Sequence, residues 1–442
     1  MVHKDLKIKA SLWVSGGFAT SQILRLASNL ILTRLLVPEA FAAMAIVSIV
    51  LIGLAMFSDV GIGQSVIRHE RKDNTTFFNT AWTMQVIRGV VLWLVCVGIS
   101  VVLWVLQVNN IVTGDNVYSL QVLPLLISVV GLTAIIDGFL PTALFTNNRD
   151  LKMARITIID IGTQVISLIT IVVWAWISPT VWALVGGTLV SSTIKLILVR
   201  KYLDGIKNTF KYDKAAAAEI LNFGKWIVLA SMVTFLAMQG DRLLLGGLIS
   251  ARELGVYVIA FFMSNSIVQV FSGLVQKIWF PVFCEALRSS SVNLRSIYYK
   301  DRLKLDCAAF FIGGFLIASG TSIVELLYDD RYSDAGWMLE ILSIRIALGT
   351  GSALGVSCLM ALGISKVNFT SMFARTVGLF ITVPICYDFY GLQGVIWAIG
   401  LNFIIGLPII YWHLAKEGLF ILKKELLPLP VLYVGYFIGD FV

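Results

Sequence analysis

The chain is built from long apolar runs that are separated by short polar turns. A helix rises about 1.5 Å per residue, so roughly 20 mainly apolar residues are needed to cross a hydrocarbon core of ~30 Å. Runs of this length predict twelve transmembrane helices, at 12–36, 40–67, 79–106, 120–143, 153–177, 181–199, 225–249, 253–276, 303–327, 337–362, 368–388 and 393–415. A last apolar stretch, 427–442, would reach only about 24 Å as a helix and predicts a partial thirteenth span.

The composition agrees with this pattern. Hydrophobic residues make up 58% of the chain and charged residues 14%, whereas soluble domains have about 25% charged residues. The fold class is therefore an all-α polytopic membrane protein. The net charge of +8 does not indicate nucleic acid as a partner, because a basic stripe needs a soluble face on which to lie.

The basic residues are concentrated in alternate loops. Of 34 Lys and Arg residues, 23 lie in one set of loops or at its edge, and three lie in the opposite set. The positive-inside rule places the N-terminus and the end of the twelfth span in the cytoplasm. The basic set comprises 1–11, 68–78, 144–152, 200–224, 277–302 with Lys304, 363–367 and 416–426.

A weak internal repeat divides the chain in half. A shift of 213 residues aligns 38–42 with 251–255, and a shift of 215 aligns 181–184 with 396–399. Six spans per half give both halves the same orientation, as in parallel repeats. The predicted domains are a six-helix lobe at 1–199, a cytoplasmic linker at 200–224, a second six-helix lobe at 225–415, and a cytoplasmic segment with the partial span at 416–442.

Eight basic residues lie within or at the edge of spans. Arg155, Lys195 and Lys225 are close to cytoplasmic ends, where long side chains can reach the interface. Five arginines lie deeper, where each would cost about 2.5–3.5 kcal/mol if it faced lipid. They must instead face acidic partners, backbone carbonyls or a wet cavity, and they are Arg25, Arg88, Arg242, Arg345 and Arg375.

Acidic residues within the spans have two open interpretations. They could pair with the arginines and hold helices together, or they could bind a coupling ion. Asp241 with Arg242 and Glu340 with Arg345 are candidate pairs. The other acids are Asp59, Asp137 and Asp160.

The first predicted helix carries Arg25 but no acidic residue. Gln22, Ser28 and Asn29 lie near Arg25 and give this apolar helix one polar face. Such a face is typical of a water-filled path. A guanidinium can bind two phosphate oxygens at once, so several arginines with few nearby acids favour an anionic substrate in a cationic cavity.

The sequence offers little for an enzyme. It contains no phosphate-binding G-x-x-x-x-G-K-[ST] motif and no nucleophile elbow. His3, His69 and His413 are far apart, and the five cysteines are scattered. We therefore expect no cofactor, no metal and no catalytic residues. A membrane-bound assembly enzyme stays an alternative, although the outer loops are too short to present a set of charged residues outside the bilayer.

Several motifs indicate a family. Three of them lie in the first half, Arg34-Leu-Leu-Val-Pro-Glu-Ala-Phe, Asp59-Val-Gly-Ile-Gly-Gln64 and Phe78-Asn-Thr-Ala-Trp82, and two lie in the second half, Gly240-Asp-Arg242 and Leu254-Gly-Val-Tyr257. Together these segments resemble the polysaccharide-exporter branch of the multidrug/oligosaccharidyl-lipid/polysaccharide exporter superfamily. This branch contains the O-antigen and exopolysaccharide repeat-unit flippases. Ala42 replaces the glycine expected after the first motif. The chain also lacks the two extra full helices of the lipid II flippase branch.

The resemblance implies two six-helix lobes around a central cavity that opens alternately to each side. It implies a polyprenyl-pyrophosphate-linked oligosaccharide as substrate, moved from the cytoplasmic to the outer leaflet of the bacterial inner membrane. The bilayer and this lipid-linked substrate are the expected partners, and the polysaccharide polymerase machinery is a further candidate. A cation-coupled multidrug antiporter of the same superfamily is the alternative, because Asp59, Asp137 and Asp160 could serve coupling.

Overall fold

The computed structural model describes residues 2–68, 75–288 and 294–441, and within these ranges the side chains of 2–12, 14–15, 68, 222–230 and 301 are not described. His69 and parts of the predicted loops 68–78 and 277–302 therefore lie outside the described residues. The regular structure of the described residues is helical. The chain divides into two compact units, Met1–Phe235 and Leu236–Val442.

The N-terminal unit is a bundle of long helices with two short ones. Its α4 packs along α5, α7 packs along both α1 and α8, and α5 also contacts α8. Gly89 and Gly138 allow close approach, because a Cβ at either position would meet the backbone of the facing helix. The helices are α1 (Val2–Leu35), α2 (Pro38–Phe57), α3 (Ile62–Arg68), α4 (Thr75–Val108), α5 (Leu123–Gly138), α6 (Ala143–Arg149), α7 (Met153–Ile177) and α8 (Val181–Tyr202).

Two predicted spans of this unit are broken. The predicted helix 40–67 ends at Phe57, and Gly61 takes a φ of 67° while its N–H donates to Asp59 Oδ1 at 2.9 Å. The predicted helix 120–143 ends at Gly138, and α6 follows it at an angle of 61°. Both breaks carry residues that favour turns, Asp59 and Gly61 in the first and Pro141 in the second. They were overlooked because each lies inside a run that is long and apolar on average.

The segment after α8 is hydrogen-bonded to side chains of α4 in the N-terminal unit. The Thr209 N–H donates to Asn79 Oδ1 at 3.0 Å and the Lys211 N–H donates to Thr83 Oγ1 at 3.2 Å. The Asp213 N–H donates to Thr80 Oγ1 at 3.0 Å. We call residues 203–213 the strap. The strap leads into α9 (Lys214–Leu248), whose residues belong to the first unit up to Phe235 and to the second from Leu236.

The C-terminal unit contains the end of α9 and a second set of long helices. A capping box of Ser250 and Glu253 starts α10, and a π-helical turn, Val275–Trp279, connects α10 to α11. The elements are α10 (Ala251–Leu274), α11 (Phe280–Arg288), α12 (Leu294–Leu327), α13 (Ala335–Leu342), α14 (Ile344–Ala361), α15 (Lys366–Leu401), α16 (Phe403–Lys416), α17 (Leu422–Glu425) and α18 (Leu429–Gly439).

Breaks also divide the apolar runs of this unit. The predicted helix 337–362 is interrupted at Ser343, between α13 and α14. Gly391 has φ 59° and ψ −147° and bends α15 between the predicted spans 368–388 and 393–415. A second break at Asn402 separates α15 from α16. Asn402 thereby faces Arg375, as described below.

The apolar end of the chain forms α18, an 11-residue helix against α12. Three glycines lie at this contact, and a Cβ on Gly314, Gly435 or Gly439 would meet a backbone carbonyl of the facing helix. Within the described ranges, eight helices, or up to nine if α5 and α6 count as one span, are long and apolar enough to cross a membrane. The count of twelve and the partial thirteenth span stay predictions.

Candidate anion-binding site

Three of the five predicted arginines meet in the C-terminal unit. The ring of Phe261 on α10 contacts two of them, because the guanidinium carbons of Arg242 and Arg345 lie 4.5 Å and 4.4 Å from its centre. Arg345 is only 8% exposed, yet its Nη1 atom has no hydrogen-bond partner. The Nε atom of Arg242 likewise lacks a partner, while its Nη1 donates to Gln239 Oε1 at 3.0 Å.

Arg375 reaches the same cluster from α15. Its guanidinium carbon lies 3.5 Å from the centre of the Phe403 ring, and that of Arg345 lies 5.9 Å from this ring. Arg375 Nε donates to Asn402 Oδ1 at 3.2 Å, and Asn402 Nδ2 donates to the carbonyl oxygen of Arg375 at 2.9 Å. The two aromatic rings therefore hold three cations close together, which cation–π attraction stabilises by about 0.5–2 kcal/mol each.

The nearby acids do not neutralise these arginines by direct pairing. Asp241 Oδ2 accepts a hydrogen bond from the Tyr257 hydroxyl at 2.5 Å, and Glu340 Oε1 accepts from the Thr321 hydroxyl at 2.7 Å. Within the described part of the chain, neither acid forms an ion pair with an arginine. The candidate pairs Asp241–Arg242 and Glu340–Arg345 are therefore not formed as direct contacts.

This geometry creates a site with surplus positive charge. Arg242 and Arg345 lie near one carboxylate, that of Asp241, which the Tyr257 hydroxyl holds in place. Arg375 adds a third guanidinium group beside Phe403. A buried guanidinium nitrogen without a partner costs free energy until an acceptor reaches it. An anion with several oxygens would supply those acceptors. The site formed by Arg242, Arg345, Arg375, Phe261, Phe403 and Asn402 is called the arginine cluster below.

Arg88 has a different environment, in the N-terminal unit. It borders a chamber of about 690 Å³ that Asp59, Gln85 and Asp137 also line. Arg88 Nε donates to Ser58 Oγ at 2.8 Å and Nη2 donates to the carbonyl oxygen of Ala55 at 2.5 Å. A cation at the C-terminal end of α2 satisfies carbonyls that the helix leaves open and complements its dipole. Arg88 therefore contacts backbone carbonyls, one of the environments expected from sequence.

Asp160 lies beside a basic residue that the sequence placed near the interface. Lys195 Nζ lies 2.8 Å from Asp160 Oδ1. The positive charge of Lys195 also attracts the Asp137 carboxylate. Arg155 similarly pairs with Asp204, with Nη1 and Oδ2 2.7 Å apart. The side chain of Lys225 lies outside the described residues. For Asp160, pairing between helices is the arrangement observed, and a role in ion coupling is untested.

The polar face of α1 combines one exposed residue with three half-buried ones. Arg25 is exposed, whereas Gln22, Ser28 and Asn29 are half-buried. Ser28 Oγ donates to the carbonyl oxygen of Leu24 at 2.7 Å, within the same helix. A neighbouring residue links α1 to α7, because Ser21 Oγ donates to Gln164 Oε1 at 2.7 Å. The roles of these four residues in binding stay predictions.

Sequence reasoning missed Phe261, Phe403 and Asn402. Apolar rings inside an apolar run carry no signal of their own, and only Asn402, a lone amide between apolar segments, could have been noticed. In the described ranges, no group of three or more His, Cys, Asp or Glu side chains is arranged to hold a metal ion.

The long apolar helices define a multi-pass membrane protein, and its C-terminal unit carries a cationic site. A family profile described as "Polysaccharide biosynthesis protein" matches residues 31–336, and the chain belongs to this family. It is thus a member of the polysaccharide-exporter branch predicted from its motifs. It is 24% identical over 423 residues to the lipopolysaccharide biosynthesis protein WzxC of Escherichia coli K12. The alignment covers 92% of this chain and 82% of WzxC.

Solved structures show the same fold. The lipid II flippase MurJ in an inward closed conformation superposes with a TM-score of 0.71 at 13% identity, over 96% of this chain and 91% of MurJ. An inward-facing multidrug resistance transporter of the MATE family gives a TM-score of 0.59 at 14% identity, over 95% and 94% of the two chains. At these identities the likeness establishes the fold alone.

Proposed function

We propose that this transporter flips polyprenyl-pyrophosphate-linked oligosaccharide repeat units from the cytoplasmic to the outer leaflet of the bacterial inner membrane. The flipped units would supply O-antigen, capsule or exopolysaccharide assembly. The observation that supports the anionic substrate is the buried Arg345 guanidinium, which lies next to two further arginines. Its Nη1 has no hydrogen-bond partner among the described residues. The proposed route is alternating access between two lobes.

Pyrophosphate suits the arginine cluster chemically. Its oxygens accept hydrogen bonds from guanidinium forks, and charge-assisted hydrogen bonds contribute about 1.5–3 kcal/mol each. Phe261 and Phe403 contact the guanidinium groups on one side, so the groups are pre-oriented and lose little side-chain entropy on binding. A neutral sugar gains less from this charge. We therefore assign the lipid head group, and not the oligosaccharide, to the cluster.

Arg25, with Gln22, Ser28 and Asn29, is proposed to contact the substrate from the N-terminal unit. Arg25 is exposed on a helix without acidic residues between Leu12 and Leu35. Its free guanidinium could accompany the anion during transport. The charge distribution of the loops supports a cytoplasmic N-terminus.

A cation-coupled multidrug antiporter is the second candidate, because MATE transporters share the fold. Cationic drugs require a net negative site, whereas the arginine cluster combines three guanidinium groups with one carboxylate. The Lys195–Asp160 pair further reduces the negative charge available in the N-terminal unit. The charge balance therefore favours the flippase.

Complementation tests the proposal directly. A strain that lacks its own repeat-unit flippase is supplied with this chain, and lipid-linked oligosaccharide in the cytoplasmic leaflet is quantified together with surface polysaccharide. Restored polysaccharide with depletion of the accumulated intermediate is the expected result. Drug resistance without restored polysaccharide, across strains that make different repeat units, would instead establish the antiporter.

A further inference from the structure

A second charged cluster lies in the C-terminal unit, apart from the arginine cluster. Arg302 near the start of α12 pairs with Asp306 one turn later, with Nε and Oδ2 2.7 Å apart. Arg302 also forms a double contact with Glu425 of α17, since Nη1–Oε1 and Nη2–Oε2 are both 2.5 Å. All three side chains are at most 4% exposed. This set of Arg302, Asp306 and Glu425 is called the buried triad.

Hydroxyl groups surround the buried triad. Tyr298 accepts a hydrogen bond from Arg302 Nη1, and the Tyr299 hydroxyl donates to Glu425 Oε1 at 3.1 Å. Tyr411 of α16 also lies close to Arg302 and Glu425. Cys358 of α14 lies near Arg302, and Cys307 of α12 lies near Asp306. The exposed Lys424 lies over the Tyr299 ring, with Nζ 4.9 Å from its centre.

The formal charges of the buried triad do not balance. One guanidinium faces two carboxylates, so the fully ionised set would carry one uncompensated negative charge inside the protein. An uncompensated buried charge costs several kcal/mol, and such groups usually take up a proton instead. Lys424 is not part of the buried set, because its side chain is exposed.

One oxygen identifies where the proton is held. Among the described residues, two buried carboxylate oxygens of the triad have no hydrogen-bond partner, Asp306 Oδ1 and Glu425 Oε2. Glu425 Oε2 still lies 2.5 Å from Arg302 Nη2, whereas no such ion contact reaches Asp306 Oδ1. A neutral hydroxyl without an acceptor costs less than a charged oxygen without a donor. Burial also raises the pKa of the Glu425 carboxyl above its ordinary value, against the opposing effect of Arg302.

We infer that the buried triad is a proton-binding site, in which Asp306 and Glu425 share one proton and Asp306 Oδ1 is its main position. A metal cation fits this place poorly, because it would lie beside the Arg302 guanidinium and repel it. The proton requires no added space and leaves the contacts of Arg302 intact. This site differs from Asp59, Asp137 and Asp160, to which the sequence assigned ion coupling.

The site connects proton binding to the position of the C-terminal segment. Glu425 belongs to α17, and the Ile421 N–H just before it donates to the Tyr299 hydroxyl at 2.7 Å. Loss of the proton leaves a net negative charge between α12 and α17. The contact between these helices then becomes less favourable, because the charge is hydrated only if the segment moves away. Basic loops flank this region, so the proton would come from the predicted cytoplasmic side.

Infrared spectroscopy of the full chain in lipid nanodiscs tests this inference without any transport assay. A protonated carboxylic acid has a C=O stretch that ionised carboxylates lack and that shifts in D₂O. At neutral pH we expect this band in the wild type and in the control Glu417→Gln, whose carboxyl is exposed. We expect it to decrease by one carboxylic acid per chain in both Asp306→Asn and Glu425→Gln, because each isostere leaves one carboxylate for one guanidinium.

The two isosteres retain the shape of the side chains, and thermal unfolding verifies that each variant is folded. An equal band in all four proteins would overturn the proton site, as would the absence of any band from the wild type.

Thermal unfolding in NaCl and in choline chloride tests whether the site binds a metal cation instead of a proton. A midpoint that rises with Na⁺ in the wild type but not in Asp306→Asn would overturn the proton assignment in favour of sodium. These readouts do not depend on the proposed flippase function.

Discussion

Asn79 on α4 accepts the backbone N–H of Thr209, 130 residues later in the chain, with a donor–acceptor distance of 3.0 Å. Thr80 and Thr83 accept two further N–H groups of the strap. Asn79 and Thr80 belong to the motif Phe78-Asn-Thr-Ala-Trp82, which identified the family from sequence. The structure gives this motif a mechanical role, since its polar side chains fix the segment between α8 and α9 to the N-terminal unit.

Removal of the Asn79 amide is expected to loosen the strap. One hydrogen bond contributes about 0.5–1.5 kcal/mol, so in Asn79→Ala trypsin should cleave after Lys207 or Lys211 up to ~10-fold faster. Limited proteolysis with mass spectrometry of the products measures this rate. Asn109→Ala is the control, because Asn109 is exposed and bonds only within its own helix. Equal cleavage rates in both variants would show that the strap does not depend on Asn79.

Arg345 is expected to be needed for transport. Loss of its charge-assisted contacts with a pyrophosphate, about 1.5–3 kcal/mol, predicts a decrease of roughly 10- to 100-fold in Arg345→Ala. Arg345→Lys should recover only part of the rate, because an ammonium lacks the planar fork. Transport of lipid-linked oligosaccharide into the outer leaflet is the measurement, at matched protein level. Arg252→Ala, an exposed arginine of the same unit, should keep the wild-type rate; equal rates in Arg345→Ala and Arg252→Ala would exclude Arg345 from substrate binding.

A double-mutant cycle decides between the two interpretations of Asp160. If Asp160 mainly pairs with Lys195, Asp160→Asn and Lys195→Gln each leave one unpaired charge, and the double variant should be closer to the wild type than either single variant. Both side chains are partly exposed, so the coupling energy should be only about 0.2–1 kcal/mol. Thermal unfolding and transport are both measured. A double variant as impaired in transport as Asp160→Asn alone would favour ion coupling.

Gly435 is expected to tolerate no side chain. A Cβ at this position would meet the Phe311 carbonyl of α12, and such overpacking costs about 1–3 kcal/mol. Gly435→Ala should therefore lower the unfolding midpoint. The matched control is Gly273→Ala on α10, where nothing lies within 4 Å of an added Cβ. That substitution should be neutral or stabilise the helix by up to about 1 kcal/mol. A stable Gly435→Ala would mean that α18 can shift on α12.

The pH dependence of stability follows from the raised pKa of the Glu425 carboxyl, which burial causes. A carboxyl whose folded-state pKa exceeds its unfolded value stabilises the fold at low pH, and this contribution is lost as the pH rises through the folded-state pKa. The unfolding midpoint of the wild type should therefore fall with pH above the ordinary Glu range. Asp306→Asn should flatten this slope, because it leaves one carboxylate for one guanidinium, so that the ionised pair is balanced without a bound proton. A slope unchanged in Asp306→Asn would assign the pH dependence to other groups.

The sequence predicted the helical class, the family and the five deep arginines, because apolar length and intramembrane charge are local properties. It did not predict which arginines meet. Arg242, Arg345 and Arg375 lie far apart in sequence and are joined by Phe261 and Phe403, whose contacts depend on helix packing. The pairing of Asp241 with Tyr257 instead of Arg242 is a further case, since residues adjacent in sequence point to different sides of a helix.

The breaks in the helices were hidden for a related reason. Ser343 and Asn402 interrupt apolar runs without Pro or Gly at the break, so a hydropathy reading continues through them. The buried triad was also missed. Arg302 and Glu425 lie in predicted loops, where charges are ordinary, and only their 4% and 3% side-chain exposure distinguishes them from solvated residues.

The buried triad has a practical consequence for work with shortened versions of this chain. A truncation before α17 would remove Glu425 while Arg302 and Asp306 remained in place, and it would also uncover the glycine face of α12 at Gly314. Such a deletion alters the electrostatics of the preceding helix as well as trimming an end. Purification tags and reporter fusions are therefore better placed after α18, so that the short final helices stay attached to the unit they complete.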